Sequence, residues 1–316
     1  MIRKSIIISL SGAKLTKAEA RLIKKEKPWG VILFKRNITS EDQLIKLTKS
    51  IKKIMKDKNY PILIDEEGGK VSRLSNILDN SQYSQSFFGK IYKLNKALGI
   101  RFYKTYLDNI SKKLKKFGIN VNNVPVLDLT KPKKTHAVIG SRSYSKSVKE
   151  INELGKICIQ TYKKNKIGTV MKHIPGHGSA SADSHFKLPV VKETLANLNK
   201  ADFKCFKNCK SHFAMTAHIL YNKIDKNNNA THSSYIIKKI IRNNIGFKGI
   251  LISDDISMKA LKFDLVTNAK KALEAGCDLV LYCAGKTNES RKLLSAMPIM
   301  NTILSKKTSE FYKFLR

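Results

Sequence analysis

The sequence predicts an α/β protein folded as a single-domain (β/α)8 TIM barrel, and three observations carry that expectation. Eight short apolar runs alternate with amphipathic helical stretches along the whole chain. Each run is nearly continuous, with no apolar–polar alternation, as strands covered on both faces should be. No Pro- or Gly-rich linker interrupts the pattern, so residues 1–316 read as one domain. About 250 residues is typical for such a barrel. Repeated strand–helix units imply parallel strands joined by right-handed crossovers. An open doubly wound sheet is the competing arrangement.

In chain order the runs are residues 6–10, 30–34, 61–64, 121–127, 167–171, 214–217, 249–252 and 278–282. The first follows Arg3-Lys4, which gives the chain a signal-like opening. Its apolar run is shorter than the roughly 7–15 residues of a secretory h-region, so it reads as a buried strand of a cytoplasmic protein. Helical spacing recurs in residues 41–56 (Leu44, Leu47, Ile51, Ile54, Met55), 100–117 (Phe102, Leu107, Ile110, Leu114, Phe117) and 233–245 (Ile236, Ile237, Ile240, Ile241, Ile245). Such stripes are core faces of amphipathic helices. The Ser-, Gln- and Asn-rich stretch 75–88 reads as a long loop, and no internal repeat is evident.

Charge is the unusual feature: 61 basic against 24 acidic residues, a net +37. Such a surplus points first to a polyanionic partner. Yet 52 of the bases are lysine and only nine are arginine, and they are spread along the chain. Phosphate recognition favours arginine forks. The surplus therefore reads as compositional drift that aids solubility, with no specific nucleic-acid partner. No stretch approaches the roughly 18 apolar residues of a membrane span, so no membrane partner is expected either. Five cysteines (Cys158, Cys205, Cys209, Cys277, Cys283) follow no scaffold spacing and fit a reducing compartment. Cys205, Cys209 and His212 sketch only one short cluster, too little for a metal centre.

A barrel gathers its chemistry where its strands end. Here the runs lead into Asp65-Glu66-Glu67-Gly68-Gly69, Asp128, Lys172-His173, His218 and Asp254-Asp255. Charges at the ends of buried strands are costly unless paired or solvated. Five sets converging on one face make a catalytic pocket the better reading. After His173 comes a loop with Pro175, Gly176, His177 and Gly178, leading to Asp183-Ser184-His185. Asp183 is close enough in sequence to orient the His185 imidazole, which can give and take a proton near neutral pH. Asp254 is available as a carboxylate nucleophile. Blander readings stand beside these: Gly68-Gly69 as a tight turn, His177 serving the loop's own geometry, His218 and Asp128 as rim hydrogen bonders, and Asp255 as a helix cap. His173, His177, Asp183 and His185 are metal-ligand types, but Pro175 and Gly176 keep the first pair off a regular helix, and no metal is expected.

Together these segments resemble glycoside hydrolase family 3, within it the single-domain bacterial β-N-acetylglucosaminidases of peptidoglycan recycling. The resemblance runs from Leu10-Ser-Gly12 and Gly30-Val-Ile-Leu-Phe-Lys-Arg-Asn37 through Asp65-Glu-Glu-Gly-Gly-Lys-Val-Ser-Arg73, Asn120-Val-Asn-Asn-Val-Pro-Val-Leu-Asp128 and Ile139-Gly-Ser-Arg-Ser-Tyr144. It continues in Lys172-His-Ile-Pro-Gly-His-Gly178, Asp183-Ser-His185, Met215-Thr-Ala-His218, Ser253-Asp-Asp-Ile-Ser-Met258 and Ala275-Gly-Cys-Asp-Leu-Val-Leu281. The resemblance implies Asp254 as nucleophile, His185 as acid/base and Asp183 as the residue that orients it. It implies Asp65, Arg73, Arg142, Lys172 and His173 as sugar-binding residues.

The implied activity is retaining hydrolysis of terminal GlcNAc from peptidoglycan fragments, with a small-molecule sugar substrate, no cofactor and a monomeric enzyme. Retaining glycosidases ordinarily use two carboxyl groups about 5–5.5 Å apart; here an imidazole would stand in for one. A β-N-acetylglucosaminide phosphorylase, or a broader β-glycosidase, on the same barrel is the alternative. Ile174, Lys70, Tyr144 and Ser145 depart from the residues common in the family, as does the stretch between Arg73 and Gly99, which bears on aglycone preference.

Overall fold

The computed structural model describes residues 2–131, 139–180 and 188–316. Strands are β1 (Lys4–Ser9), β2 (Pro28–Leu33), β3 (Ile62–Ile64), β4 (Val121–Asn122), β5 (Gly168–Ile174), β6 (Val190–Val191), β7 (Phe213–Thr216), β8 (Leu220–Tyr221), β9 (Ile250–Asp255) and β10 (Leu279–Tyr282). Eight of them close into a parallel barrel in the order β1-β10-β9-β7-β5-β4-β3-β2. These are the eight strands expected from the apolar runs. The small β6–β8 pair lies outside the barrel.

Continuous burial along each strand has a simple cause. Ile6 and Ile8, and likewise Ile62 and Ile64, point outward into the layer shared with the helices. The residues between them, Ile7 and Leu63, point into the barrel with Val121, Val170, Phe213 and Ile250. Both faces of the sheet are therefore apolar.

The helices are α1 (Lys17–Glu26), α2 (Glu41–Ile54), α3 (Gln85–Leu94), α4 (Lys96–Lys116), α5 (Val148–Lys164), α6 (Leu195–Lys200), α7 (Leu265–Ala275), α8 (Thr287–Ala296) and α9 (Thr302–Leu315). Their starts are set by side-chain caps. Thr16 and Glu19 form a capping box on α1, Ser40 caps α2 and Asp264 caps α7.

Helix α9 closes the end of the barrel where the strands begin. Phe311 sits edge-on to Phe213 at 4.8 Å, and Trp29 donates its indole N–H to Thr308 Oγ1 at 3.0 Å. Gly168 leaves room for this plug, since a Cβ there would lie 2.7 Å from the Phe311 ring. The opposite, C-terminal end carries the polar strand ends.

Four local expectations are corrected. The polar stretch 75–88 is not loop throughout: Ser84 caps α3, which begins at Gln85. The isoleucine stripe at 233–245 forms a helix, but over Ile236–Asn244 it is π-type, with Ile245 N–H donating to the Ile240 carbonyl. The strand expected at 121–127 keeps ladder pairing only at Val121 and Asn122, plus a bridge from Val126 to Lys172. Asp255 does not cap a helix; it accepts from Ser257 N–H and from Cys283 N–H at 3.1 Å each.

Helix α3 also braces the C-terminal face. The Gln85 amide donates to the carbonyls of Val126 (2.8 Å) and Arg142 (2.7 Å) and accepts from Val126 N–H. Further along, Gly89 lies so close to the chain leaving the Gly140–Arg142 turn that a Cβ would fall 1.9 Å from the Tyr144 carbonyl oxygen. Gly89→Ala is therefore expected to destabilise the fold by about 1–3 kcal/mol, read as a lower urea midpoint. An unchanged midpoint would mean that α3 can move away from this turn at no cost.

Candidate active site

The strand ends meet in a cavity of about 330 Å3 lined by Asp65, Glu67, Arg73, Arg142, Lys172, His173, His177 and Asp254, with Phe34, Ile139, Met215, Met258 and Leu281 among its apolar walls. That volume lies at the small end of ligand pockets, about 300–1,000 Å3, and suits one compact polar ring. A groove of about 1050 Å3 lies at the plugged end around Arg3 and Asp57. It lacks the convergent acids and bases that mark chemistry.

One wall is a chain of alternating charges. Arg73 faces Asp65 at 3.6 Å, Asp65 meets Lys172 at 2.9 Å, and Lys172 meets Glu67 at 2.7 Å. Glu67 in turn takes both Nε (2.8 Å) and Nη2 (2.9 Å) of Arg142. Asn123 donates to Asp65 at 3.0 Å. The Lys172 and Glu67 side chains are 3% and 1% exposed, so each charge depends on its neighbours to offset desolvation. Burial alone would raise both carboxyls. The cations outweigh it, holding Asp65 well below the carboxylate range and Glu67 at about 2. Glu66 faces away from this chain. It accepts from the backbone N–H groups of Arg73 and Leu74 and from Asn80, which ties down the loop that presents Arg73.

Asp128, fully buried, organises a second wall. It accepts from His173 N–H, from His173 Nδ1 at 2.7 Å and from His177 N–H at 2.7 Å. That contact gives His173 an Nδ1–H donor and leaves its Nε2 near Arg142 at 3.4 Å. The Lys172–His173 and Ile174–Pro175 peptide bonds here are both cis.

Asp254 stands across the cavity at the end of β9. Its Oδ1 accepts from Asp255 N–H at 2.8 Å, and its own N–H reaches Thr216 Oγ1 at 3.3 Å. Burial raises its carboxyl, but nearby His218, His173 and Lys172 reverse this and keep it ionised. No ion pair holds it among the described residues. His218 makes two structural bonds, to Thr231 Oγ1 (2.7 Å) and to the Asp255 carbonyl (3.0 Å).

The cavity thus gathers Asp65, Arg73, Arg142, Lys172, His173 and Asp254, six of the residues singled out in the sequence. Asp183 and His185 lie outside the described residues. Sequence reasoning gave no role to Glu67, which joins Arg142 to Lys172, and treated Asp128 and His177 as peripheral. The doubled acid Glu66-Glu67 at a strand end was the available signal for Glu67. Cys205 and Cys209 are buried, and the His212 ring packs on Phe314 at 4.1 Å.

Comparisons with known proteins show the family. Residues 3–307 match the family model for the glycosyl hydrolase family 3 N-terminal domain. The β-hexosaminidase of Methylobacillus flagellatus is 34% identical over 285 residues, spanning 88% of this chain and 80% of that protein. The β-hexosaminidase of Shewanella frigidimarina is 32% identical over 88% of this chain and 81% of its own length. Among solved structures, NagZ from Neisseria gonorrhoeae in complex with N-trifluoroacetyl-D-glucosamine superposes with a TM-score of 0.88 at 28% identity, covering 100% of this chain and 90% of that one.

Two outcomes follow from the charges. Glu67→Gln leaves Arg142 and Lys172 short of a buried counter-charge, so it is expected to cost about 3–5 kcal/mol of stability; a urea midpoint equal to wild type would contradict that. Acid is expected to weaken the fold in two stages. Burial holds His177, His212 and His232 at about 4, down from 6.5. As pH falls from about 6.5 towards 4 the unfolded chain takes up these protons first, so the folded state loses stability. The depressed carboxyls of Asp65 and Glu67 add a second loss at lower pH, as the unfolded carboxylates protonate while the folded ones resist. The melting temperature should fall steadily from pH 7 to 4, and a flat profile would refute the assignment.

Proposed function

The chain belongs to glycosyl hydrolase family 3, and from that premise we propose that it removes terminal non-reducing GlcNAc from peptidoglycan fragments, GlcNAc–anhydroMurNAc peptides, through a covalent glycosyl-Asp254 intermediate. Its class is that of the β-N-acetylhexosaminidases, glycoside hydrolases acting on a small sugar substrate. The observation that carries the mechanism is the placement of Asp254: ionised, free of any ion pair among the described residues, and facing a cavity in which Asp65, Glu67, Arg73, Arg142 and Lys172 are already paired with one another. A nucleophile must be available, whereas binding groups must be held still.

In this reading Asp65, Arg73, Arg142, Lys172 and His173 hold the terminal sugar so that its anomeric carbon meets an Asp254 oxygen. His185, oriented by Asp183, donates a proton to the leaving glycosidic oxygen. Neutral after that transfer, it takes a proton from the water that releases the sugar, restoring Asp254. The small closed-ended cavity supports exo action on one terminal residue. We further propose that the chain works as a single catalytic barrel, a monomer, in the cytoplasm. Five cysteines without a disulfide fit that compartment. No described helix is long and apolar enough to cross a membrane.

Asp254→Ala is expected to lower turnover of an aryl N-acetylglucosaminide by at least ~1000-fold while GlcNAc still binds. A fluorinated substrate analogue should leave a covalent sugar on the peptide containing Asp254 in the wild type. Wild-type turnover by the variant would end the assignment. Sugar 1-phosphate appearing only in phosphate buffer would replace hydrolysis with phosphorolysis.

A further inference from the structure

His177 stands apart from the other histidines around the cavity. His173 has Nδ1 on Asp128 and Nε2 beside Arg142, and His218 has both ring nitrogens bonded. His177 is 3% exposed, and neither ring nitrogen, Nδ1 or Nε2, has a hydrogen-bond partner among the described residues. Its backbone is held, since His177 N–H donates to Asp128 at 2.7 Å. Its ring lies 6.0 Å from that of His173, at 71° to it, and the residue lines the same cavity as Arg142 and Asp254. Among the described residues, the loop is held through the His177 backbone while the ring makes no hydrogen bond.

A buried donor or acceptor without a partner costs about 1–3 kcal/mol, and native structures rarely leave one that way. An apolar side chain of similar size would fill the space without that cost. Burial keeps the ring neutral at neutral pH, so it offers one N–H donor and one lone pair.

We infer that His177 is a substrate-binding residue whose imidazole hydrogen-bonds an uncharged polar substituent of the terminal sugar, a hydroxyl or the acetamido group, on the Arg142–His173 side of the cavity. This rests on the hexosaminidase reading and adds a contact to it. Arg142 is already matched by Glu67, so that side is suited to neutral groups, which a neutral imidazole recognises without bringing in charge.

The test uses His177→Leu and His177→Gln in the full chain. It measures the melting temperature of the free protein, the further rise in melting temperature produced by GlcNAc, and kcat and KM with aryl N-acetylglucosaminide and aryl glucoside. The leucine variant should lose about 10- to 100-fold in kcat/KM and most of the GlcNAc-induced rise, with a free-protein melting temperature equal to wild type or above it. The glutamine variant should regain part of the loss. A loss confined to the N-acetylated substrate assigns the contact to the acetamido group, and an equal loss with both assigns it to a hydroxyl; either supports the inference. Wild-type kcat/KM in the leucine variant overturns it. So does a loss that accompanies a fall of several degrees in the free protein while the GlcNAc-induced rise persists, since that marks a packing residue. A wild type that neither cleaves the N-acetylglucosaminide nor is stabilised by GlcNAc removes the hexosaminidase reading, and this inference with it.

Discussion

The chain of charges from the part-exposed Arg73 through Asp65 and the buried Lys172 and Glu67 to Arg142 is the constraint around which the C-terminal end of this barrel is built. Each of these groups would be expensive to bury alone. They come from four separate stretches of sequence: Asp65 and Glu67 after β3, Arg73 in the loop beyond, Arg142 in the short turn Gly140–Arg142, and Lys172 on β5. No local interaction could bring them together. The barrel does so by placing the ends of β3 and β5 on one rim, with β4 between them. In return, the ion pairs fix the loops that carry Arg73 and Arg142. With two carboxylates against three cations, the wall keeps surplus donors pointing at the cavity, which suits a ligand rich in hydroxyl and carbonyl oxygens.

The same economy explains why the carboxylates differ in role. Asp65, Glu67 and Asp128 are saturated with donors, so each is a fixed acceptor that positions something else. Glu66 does this for backbone, holding Arg73 and Leu74 by their N–H groups. Among the described residues, the Asp254 carboxylate accepts from Asp255 N–H alone. Asp255, beside it, has its carboxyl pushed up by burial and by the Asp254 charge, and it is spent on Ser257 and Cys283. Adjacent aspartates at one strand end, both lining the cavity, thus differ in role because their partners differ.

What could be read from the sequence follows from range. Strands buried on both faces leave a one-dimensional trace, so the barrel was legible from its apolar runs. Strand ends carrying charge leave a trace too, which is why Asp65, Lys172, His173 and Asp254 stood out. Features decided by distant partners left none. Glu67 matters because of Arg142, 75 residues away, and nothing in the Asp-Glu-Glu run says which acid will meet it. Strand β4 ended early because Pro125 has no N–H for the ladder and Asn122 and Asn123 turn their amides to Glu66 and Asp65 instead. Helix α3 was hidden because its apolar face, Phe88 and Tyr92, follows a polar cap and sits in a short segment. The isoleucine stripe gave the right buried face at Ile236, Ile237, Ile240 and Ile241, but periodicity over so few residues does not separate a π-type turn from an α-turn.

The net charge of +37 belongs to the fold's polarity more than to its cavity. Of the 61 basic residues, Arg73, Arg142 and Lys172 line the site. Lysines crowd the last turns of the helices: Lys24 and Lys25 in α1, Lys52 and Lys53 in α2, Lys113, Lys115 and Lys116 in α4, and Lys163 and Lys164 in α5. A helix C-terminus is the negative end of its dipole and favours cations there. In a parallel barrel the crossover helices that lead into strands end where those strands begin, so these lysines collect at the end sealed by α9. Helix α4 alone has 21 residues, a length of about 30 Å, against a screening length of about 8 Å at physiological salt. Cations at that end are too far away to act on a ligand in the cavity. Electrostatic recognition of the substrate must therefore come from the few charges held at the other end, Asp65, Glu67, Arg73, Arg142, Lys172 and Asp254 among them.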